Sequence, residues 1–116
     1  TYADRFWPGP LSMLFPKSDR IPAALCAGGP KVCVRIPAHE TARALCAAVG
    51  HAITSTSANK SGKPPATSPH EIDLSGVALC IDGGTLPPSQ PSTIFDPDTR
   101  TILRKGAISS ESLIAF

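Results

Sequence analysis

Between Lys31 and Thr54 the spacing of apolar residues changes period twice, and this limits the fold more than any other feature of the chain. Val32, Val34 and Ile36 alternate with Lys31, Cys33 and Arg35, which is the two-residue period of a strand. Pro37 breaks that pattern. Ala38, Ala42, Leu45, Cys46 and Val49 then recur at helical spacing, with Glu40 in the first turn and Gly50 at the end. Ala52-Ile53-Thr54 resumes as a strand. Strand, helix and strand in succession predict an α/β sheet.

The flanking segments extend the same reading. Tyr2 to Trp7 reads as the end of a helix stopped by Pro8-Gly9-Pro10, and Leu11 to Phe15 as a short buried strand. Ile21 to Ala27 allows a helical turn or two before Gly28-Gly29-Pro30. Val77 to Ile81 is near-continuously apolar, as a strand covered on both faces would be, and Asp82-Gly83-Gly84 closes it with a turn. Ser92 to Asp96 and Thr101 to Arg104 predict a hairpin around Pro97-Asp98-Thr99. Ser109-Ser110-Glu111 predicts the cap of a last helix. The expected fold is α/β, a mixed open sheet with flanking helices in a single domain over residues 1–116.

Composition narrows the function. A hydrophobic fraction of 41% and a charged fraction of 17% suit a domain with a core and argue against disorder. The sequence has no run near the ~20 apolar residues of a membrane span, so no membrane partner is expected. A net charge of +2 does not by itself argue for nucleic acid. Cys26, Cys33, Cys46 and Cys80 form no C-x-x-C pair, and no histidine stands at zinc-ligand spacing from one. They are expected to be reduced, buried thiols of a cytoplasmic protein. His39, His51 and His70 are equally isolated, so a metal site made by this chain is not expected.

Two features carry chemistry. Ser55 to Gly62 places four hydroxyls, one carboxamide and one lysine in eight residues directly after an apolar strand. Ligands of open α/β sheets sit beyond the C-terminal ends of strands, and such side chains suit phosphate or carboxylate oxygens. An ordinary polar turn is the competing reading. The loop is neither a G-x-x-x-x-G-K-[ST] phosphate loop nor a G-x-S-x-G elbow. Arg35, opposite the aliphatic stripe of its strand, needs a partner: an internal carboxylate, or a ligand's carboxylate or phosphate.

The order of short motifs adds a resemblance. The chain reads Phe6-Trp7-Pro8-Gly9-Pro10-Leu11, then Val32-Cys33-Val34-Arg35-Ile36-Pro37-x-His39. Ser55-Thr56-Ser57-Ala58-Asn59-x-Ser61-Gly62, Asp82-Gly83-Gly84, Ser92-Thr93 and Leu103-Arg104-x-Gly106 follow. This resembles the C-terminal two-thirds of the Sua5/YrdC family, the threonylcarbamoyl-AMP synthases. The resemblance implies a twisted α/β fold around a concave basic cleft, incomplete here at its N-terminus. It implies L-threonine, bicarbonate and ATP with Mg²⁺ as substrates, no permanently bound cofactor, and threonylcarbamoyl-adenylate and pyrophosphate as products. The product serves an adenosine of tRNA through partner proteins, and tRNA or double-stranded RNA is a further possible partner.

Residue by residue, the resemblance implies that Arg35 holds the threonine carboxylate and that Ser55 contacts threonine. Ser57 and Asn59 match the family's S-x-N pair at the nucleotide, and Arg104 matches an arginine that reaches ATP. Lys31 departs from a small or hydroxylated residue, Pro65 from a serine of the ATP site in some members, and Cys33 from a common alanine. No K-x-R, the family's N-terminal ATP-binding motif, occurs in the chain. The chain alone is therefore expected to lack synthase activity. Two alternatives stand beside this reading: a non-catalytic RNA-binding module, and the related domain of a hydrogenase-maturation carbamoyltransferase.

Overall fold

The computed structural model describes residues 1–116 and divides them into two compact units, one of Thr1–His51 with Gln90–Phe116, the other of Ala52–Ser89. The first contains every strand of the structure. Its sheet has β1 (Leu11–Pro16), β2 (Lys31–Val34), β3 (Thr93–Asp96) and β4 (Thr101–Arg104) in the order β2-β1-β3-β4. β1 runs antiparallel to β2 and parallel to β3, and β3 and β4 form an antiparallel hairpin. The expected mixed open sheet is thus present, with α1 (Tyr2–Phe6), α2 (Glu40–Val49) and α3 (Ser110–Ile114).

Local chemistry sets the element ends. Thr1 and Asp4 cap α1 reciprocally, each side chain taking the other's backbone N–H. His39 Nδ1 accepts from Ala42 N at 3.3 Å to cap α2, and Gly50 ends that helix at φ 86°, where its N–H reaches Cys46 O. Ser109 Oγ accepts from Ser112 N at the start of α3. At the hairpin tip the Asp96 carboxylate accepts from Asp98 N at 3.0 Å, and Arg100 takes φ 55° to complete the reversal.

One face of the sheet is the core. Leu11 and Met13 of β1, Phe95 of β3 and Leu113 of α3 are buried together, with Tyr2, Phe6, Trp7, Phe15, Ile102 and Ile108 packed against them. Tyr2 meets Phe95 edge-on at 4.9 Å, and Trp7 Nε1 donates to Leu11 O, so α1 is both packed and tied to the central strand. Burial of each large apolar side chain contributes about 1.5–3 kcal/mol.

Three expectations are corrected. β2 ends at Val34 rather than Ile36, because the next residues bond to the Gly9 loop: Gly9 N donates to Ile36 O at 2.8 Å. Ala52–Thr54 and Val77–Ile81 are not strands. They belong to the second unit, which has no strand and one 3₁₀ turn, Pro69–Glu71. An apolar run becomes a strand only where neighbouring strands take up its N–H and C=O groups; here Val77, Leu79 and Ile81 are exposed, Leu79 to 79%. The cysteines are free but not buried: Cys26 and Cys46 are half-buried, and Cys33 and Cys80 are exposed. No helix is long and apolar enough to cross a membrane.

The open face of the sheet carries a partly buried ion cluster. Lys31 Nζ donates to both Asp96 oxygens at 2.9 and 2.8 Å and to Asp98 at 3.0 Å. The bond from Lys31 holds the Asp96 carboxyl below its ordinary value, so its stabilising effect is present above the unfolded carboxyl's range and lost as pH falls through the folded value. Urea titrations should accordingly find Asp96→Asn less stable than wild type at pH 7. The difference should shrink as pH falls below about 4, the range of a free carboxyl; a pH-independent difference would refute the assignment.

Candidate functional site

The register of the strands places Arg35 and Arg104 on the same face. Ser12 pairs with Ile94, and Ile94 pairs with Arg104, so these three project together. Lys31 and Cys33 pair with Pro16 and Leu14, two and one alternate positions along β1 from Ser12, so they share that face, as Arg35 does two residues after Cys33. This is the face opposite Leu11, Met13 and Phe95. The alternation read from the sequence is therefore the alternation in the sheet.

Arg35 has no carboxylate partner. Its Nε donates to Gly9 O at 2.9 Å, and no ion pair includes it. The alternative of an internal salt bridge is thereby removed. Gly9 must be glycine for this contact, since a Cβ there would run into Phe6 O. Burial first, and then the charge of Arg104, push the Arg35 guanidinium below its ordinary value, although arginine stays protonated.

Arg104 is also without a carboxylate. Its Nε and Nη2 donate to Ser92 O at 3.1 and 2.8 Å, and Nη2 donates to Ser92 Oγ at 3.0 Å. Ser92 Oγ lies 2.8 Å from Ser12 Oγ. Gly106 permits the arrangement: a Cβ there would overlap the backbone of Pro91, Ser92 and Thr93. That close approach explains the Leu103-Arg104-x-Gly106 spacing, since the glycine lets the chain after β4 fold back against Ser92. Desolvation at the sulfur, within a residue exposed as a whole, pushes the Cys33 thiol up, opposed by Arg104 and the Ser12 hydroxyl.

Ser55, Ser57 and Asn59 lie in the second unit. Ser55 and Ser57 are exposed and lie outside any helix or strand. Asn59 is half-buried and turned inward. Its Nδ2 donates to Lys60 O at 3.0 Å and Lys63 O at 2.9 Å, while its Oδ1 is buried without a hydrogen-bond partner. Ala66 N closes the loop on Ala58 O at 2.9 Å. The structure thus groups the two arginines on one sheet face and the three polar residues on one loop. Lys31 is paired with Asp96 and Asp98.

The sequence reading gave no role to Ser12. Its signal was available: a serine between Leu11 and Met13 of an apolar strand must face away from the core those residues fill.

The family model described as "Telomere recombination", covering Sua5, YciO and YrdC proteins, matches residues 1–106. The chain belongs to the Sua5/YciO/YrdC family. It is 40% identical over 116 residues to a threonylcarbamoyl-AMP synthase of Pyrococcus abyssi, an alignment covering 96% of this chain and 34% of that protein. It is 42% identical to a threonylcarbamoyl-AMP synthase of Thiobacillus denitrificans, over 86% of this chain and 54% of that one. The crystal structure of Pyrococcus abyssi Sua5 complexed with L-threonine superposes with a TM-score of 0.86, covering 97% of this chain and 35% of the other. The chain thus spans about a third to a half of the length of these Sua5/YrdC relatives.

Gly106→Ala should destabilise the Sua5/YrdC chain by about 1–3 kcal/mol, the usual cost of forcing atoms into a filled space. Urea unfolding measures it. A midpoint unchanged from wild type would mean the Ser92 contact is not as tight as described.

Proposed function

We propose that this chain forms the substrate-holding part of an L-threonylcarbamoyladenylate synthase that serves tRNA threonylcarbamoyladenosine formation. The single observation that carries the reading is the pair Arg35 and Arg104, two guanidiniums on one sheet face with no carboxylate to neutralise either. Uncompensated guanidiniums on one sheet face favour an anion, and planar forks suit carboxylate and phosphate. The names of the relatives and the threonine bound in one of them support the same direction.

In this reading Arg35 holds the carboxylate of L-threonine. The threonine amine takes up CO₂, supplied as bicarbonate, to give a carbamate. A carbamate oxygen attacks the α-phosphorus of ATP, and pyrophosphate leaves. Arg104 steadies the phosphate oxygens as the charge shifts toward the leaving group. Mg²⁺ enters with ATP and neutralises phosphate charge when bound. No residue here is required as a covalent nucleophile, because positioning supplies the acceleration. Asn59, whose amide hydrogens bind Lys60 O and Lys63 O, acts at the nucleotide by shaping the loop that carries Ser57.

Calorimetric titration with L-threonine tests the first step. Arg35→Gln should weaken binding by roughly tenfold or more, the loss of a charge-assisted contact of about 1.5–3 kcal/mol. If wild type and variant bind threonine alike, the assignment of Arg35 fails.

The 116-residue chain, which has no K-x-R motif, should release no pyrophosphate from ATP in response to threonine and bicarbonate. Threonine-dependent release from the purified chain would contradict that expectation.

A further inference from the structure

We infer that Ser12, a residue of β1 one position past the Phe6–Leu11 motif, is a positioning residue that holds Arg104 on the sheet face it shares with Arg35 for an anionic ligand. The inference rests on the reading above, in which Arg104 meets phosphate.

Ser12 and Ser92 are only 7% and 8% exposed, and their hydroxyls lie 2.8 Å apart. Few other groups compete for them. A hydroxyl offers one hydrogen and two lone pairs, whereas a guanidinium only donates. Arg104 Nη2 therefore occupies one lone pair of Ser92 Oγ, and Ser12 occupies another place on the same oxygen, as donor or as acceptor. Ser92 Oγ is thus fixed from two sides. Without Ser12, the buried Ser92 hydroxyl keeps Arg104 Nη2 as its one side-chain partner, so the Oγ bond to Arg104 is held from one side, while the bonds to Ser92 O remain.

The need for such a brace follows from the charges. Arg35 and Arg104 project from the same face of the sheet, and no ion pair includes either. Their mutual repulsion favours conformations in which the side chains spread into water. Each is held against that tendency by carbonyl oxygens: Arg35 by Gly9 O, Arg104 by Ser92 O. The Arg35 tether runs through a glycine loop bonded to Ile36. The Arg104 tether runs through Ser92, and Ser12 is the one side chain beyond Arg104 that grips Ser92. Ser12 thereby links the central strand to an arginine at the sheet edge, two strands away.

Threonine and valine have the same shape at this site and differ in the hydroxyl, so Ser12→Thr and Ser12→Val separate hydrogen bonding from volume. Calorimetric titration of the whole chain with inorganic pyrophosphate is the first readout, with Arg104→Gln as reference. Ser12→Val should weaken pyrophosphate binding about fivefold, the equivalent of one hydrogen bond, and Ser12→Thr should stay within about twofold of wild type. The second readout needs no ligand: hydrogen exchange at Arg104 Nη2, the nitrogen bonded to Ser92 Oγ, followed by ¹⁵N NMR, should be slower in wild type and Ser12→Thr than in Ser12→Val. Ser12→Ala carries the same comparison if Ser12→Val is too unstable to titrate. Pyrophosphate binding and exchange in the hydroxyl-less variant equal to wild type, with Arg104→Gln impaired, would overturn the role of Ser12 and leave that of Arg104 intact. Arg104→Gln binding as well as wild type would overturn both.

Discussion

The contact between Gly106 and the Pro91–Thr93 backbone is the constraint on which both the core and the site depend. After β4 the chain could leave the sheet in any direction. It turns back instead: Ala107 N donates to Pro91 O at 2.9 Å, Ile108 N donates to Thr93 Oγ1 at 3.0 Å, and Thr93 Oγ1 donates to Ile108 O at 2.7 Å. Thr93 is fully buried, so these bonds form away from competing water. The return brings α3 back to the sheet, where Leu113 enters the core. It also sets Arg104 against Ser92, on the opposite face. One close backbone approach thus serves two faces of the same sheet.

The sheet then separates chemistry from packing by alternation alone. Leu11, Met13 and Phe95 fill one face, while Ser12, Cys33, Arg35 and Arg104 occupy the other. Charge is sorted further along that second face. Lys31 is neutralised by Asp96 and Asp98 at the start of β2, whereas the arginines beyond the end of β2 and at the end of β4 have only carbonyl and hydroxyl partners. Had either aspartate been placed beside an arginine, the local structure would gain an ion pair and the proposed anion site would be lost. Keeping cations uncompensated costs folding free energy and leaves affinity for a ligand, a common exchange at functional sites.

The sequence made some of this readable and hid the rest, for physical reasons. Local periodicity and caps found β1, β2, α2, the hairpin and α3, because their signals lie within a few residues. The side on which Arg35 projects followed from period two. The strands read at Ala52–Thr54 and Val77–Ile81 failed because pairing is non-local: apolar composition says that a segment can be covered, not that a neighbour is present to pair with it. The burial expected of Cys80 failed with its strand. Arg35's partner could not be read either, since Gly9 is 26 residues away and contributes a carbonyl, which every residue has. Ser12 escaped notice because its partner, Ser92, is 80 residues distant.

The loop residues divide labour in a way that motif matching does not reveal. Ser57 and Asn59 enter the resemblance as equals, yet their environments differ. Ser57 is exposed, while Asn59 spends both amide hydrogens on carbonyls of Lys60 and Lys63 and keeps a buried, unpaired Oδ1. A side chain so engaged fixes the loop's shape, and a hydroxyl left open can meet a ligand without first breaking a bond. The arginine face has the same logic: Ser92 and Ser12 are buried and bonded, and the guanidinium held at Ser92 is the group proposed to meet the anion. In both units the residues that set geometry are the buried ones. A polar residue shared across a family can therefore be shared for its grip on the backbone, and its hydrogen-bond partners distinguish that role from contact with substrate.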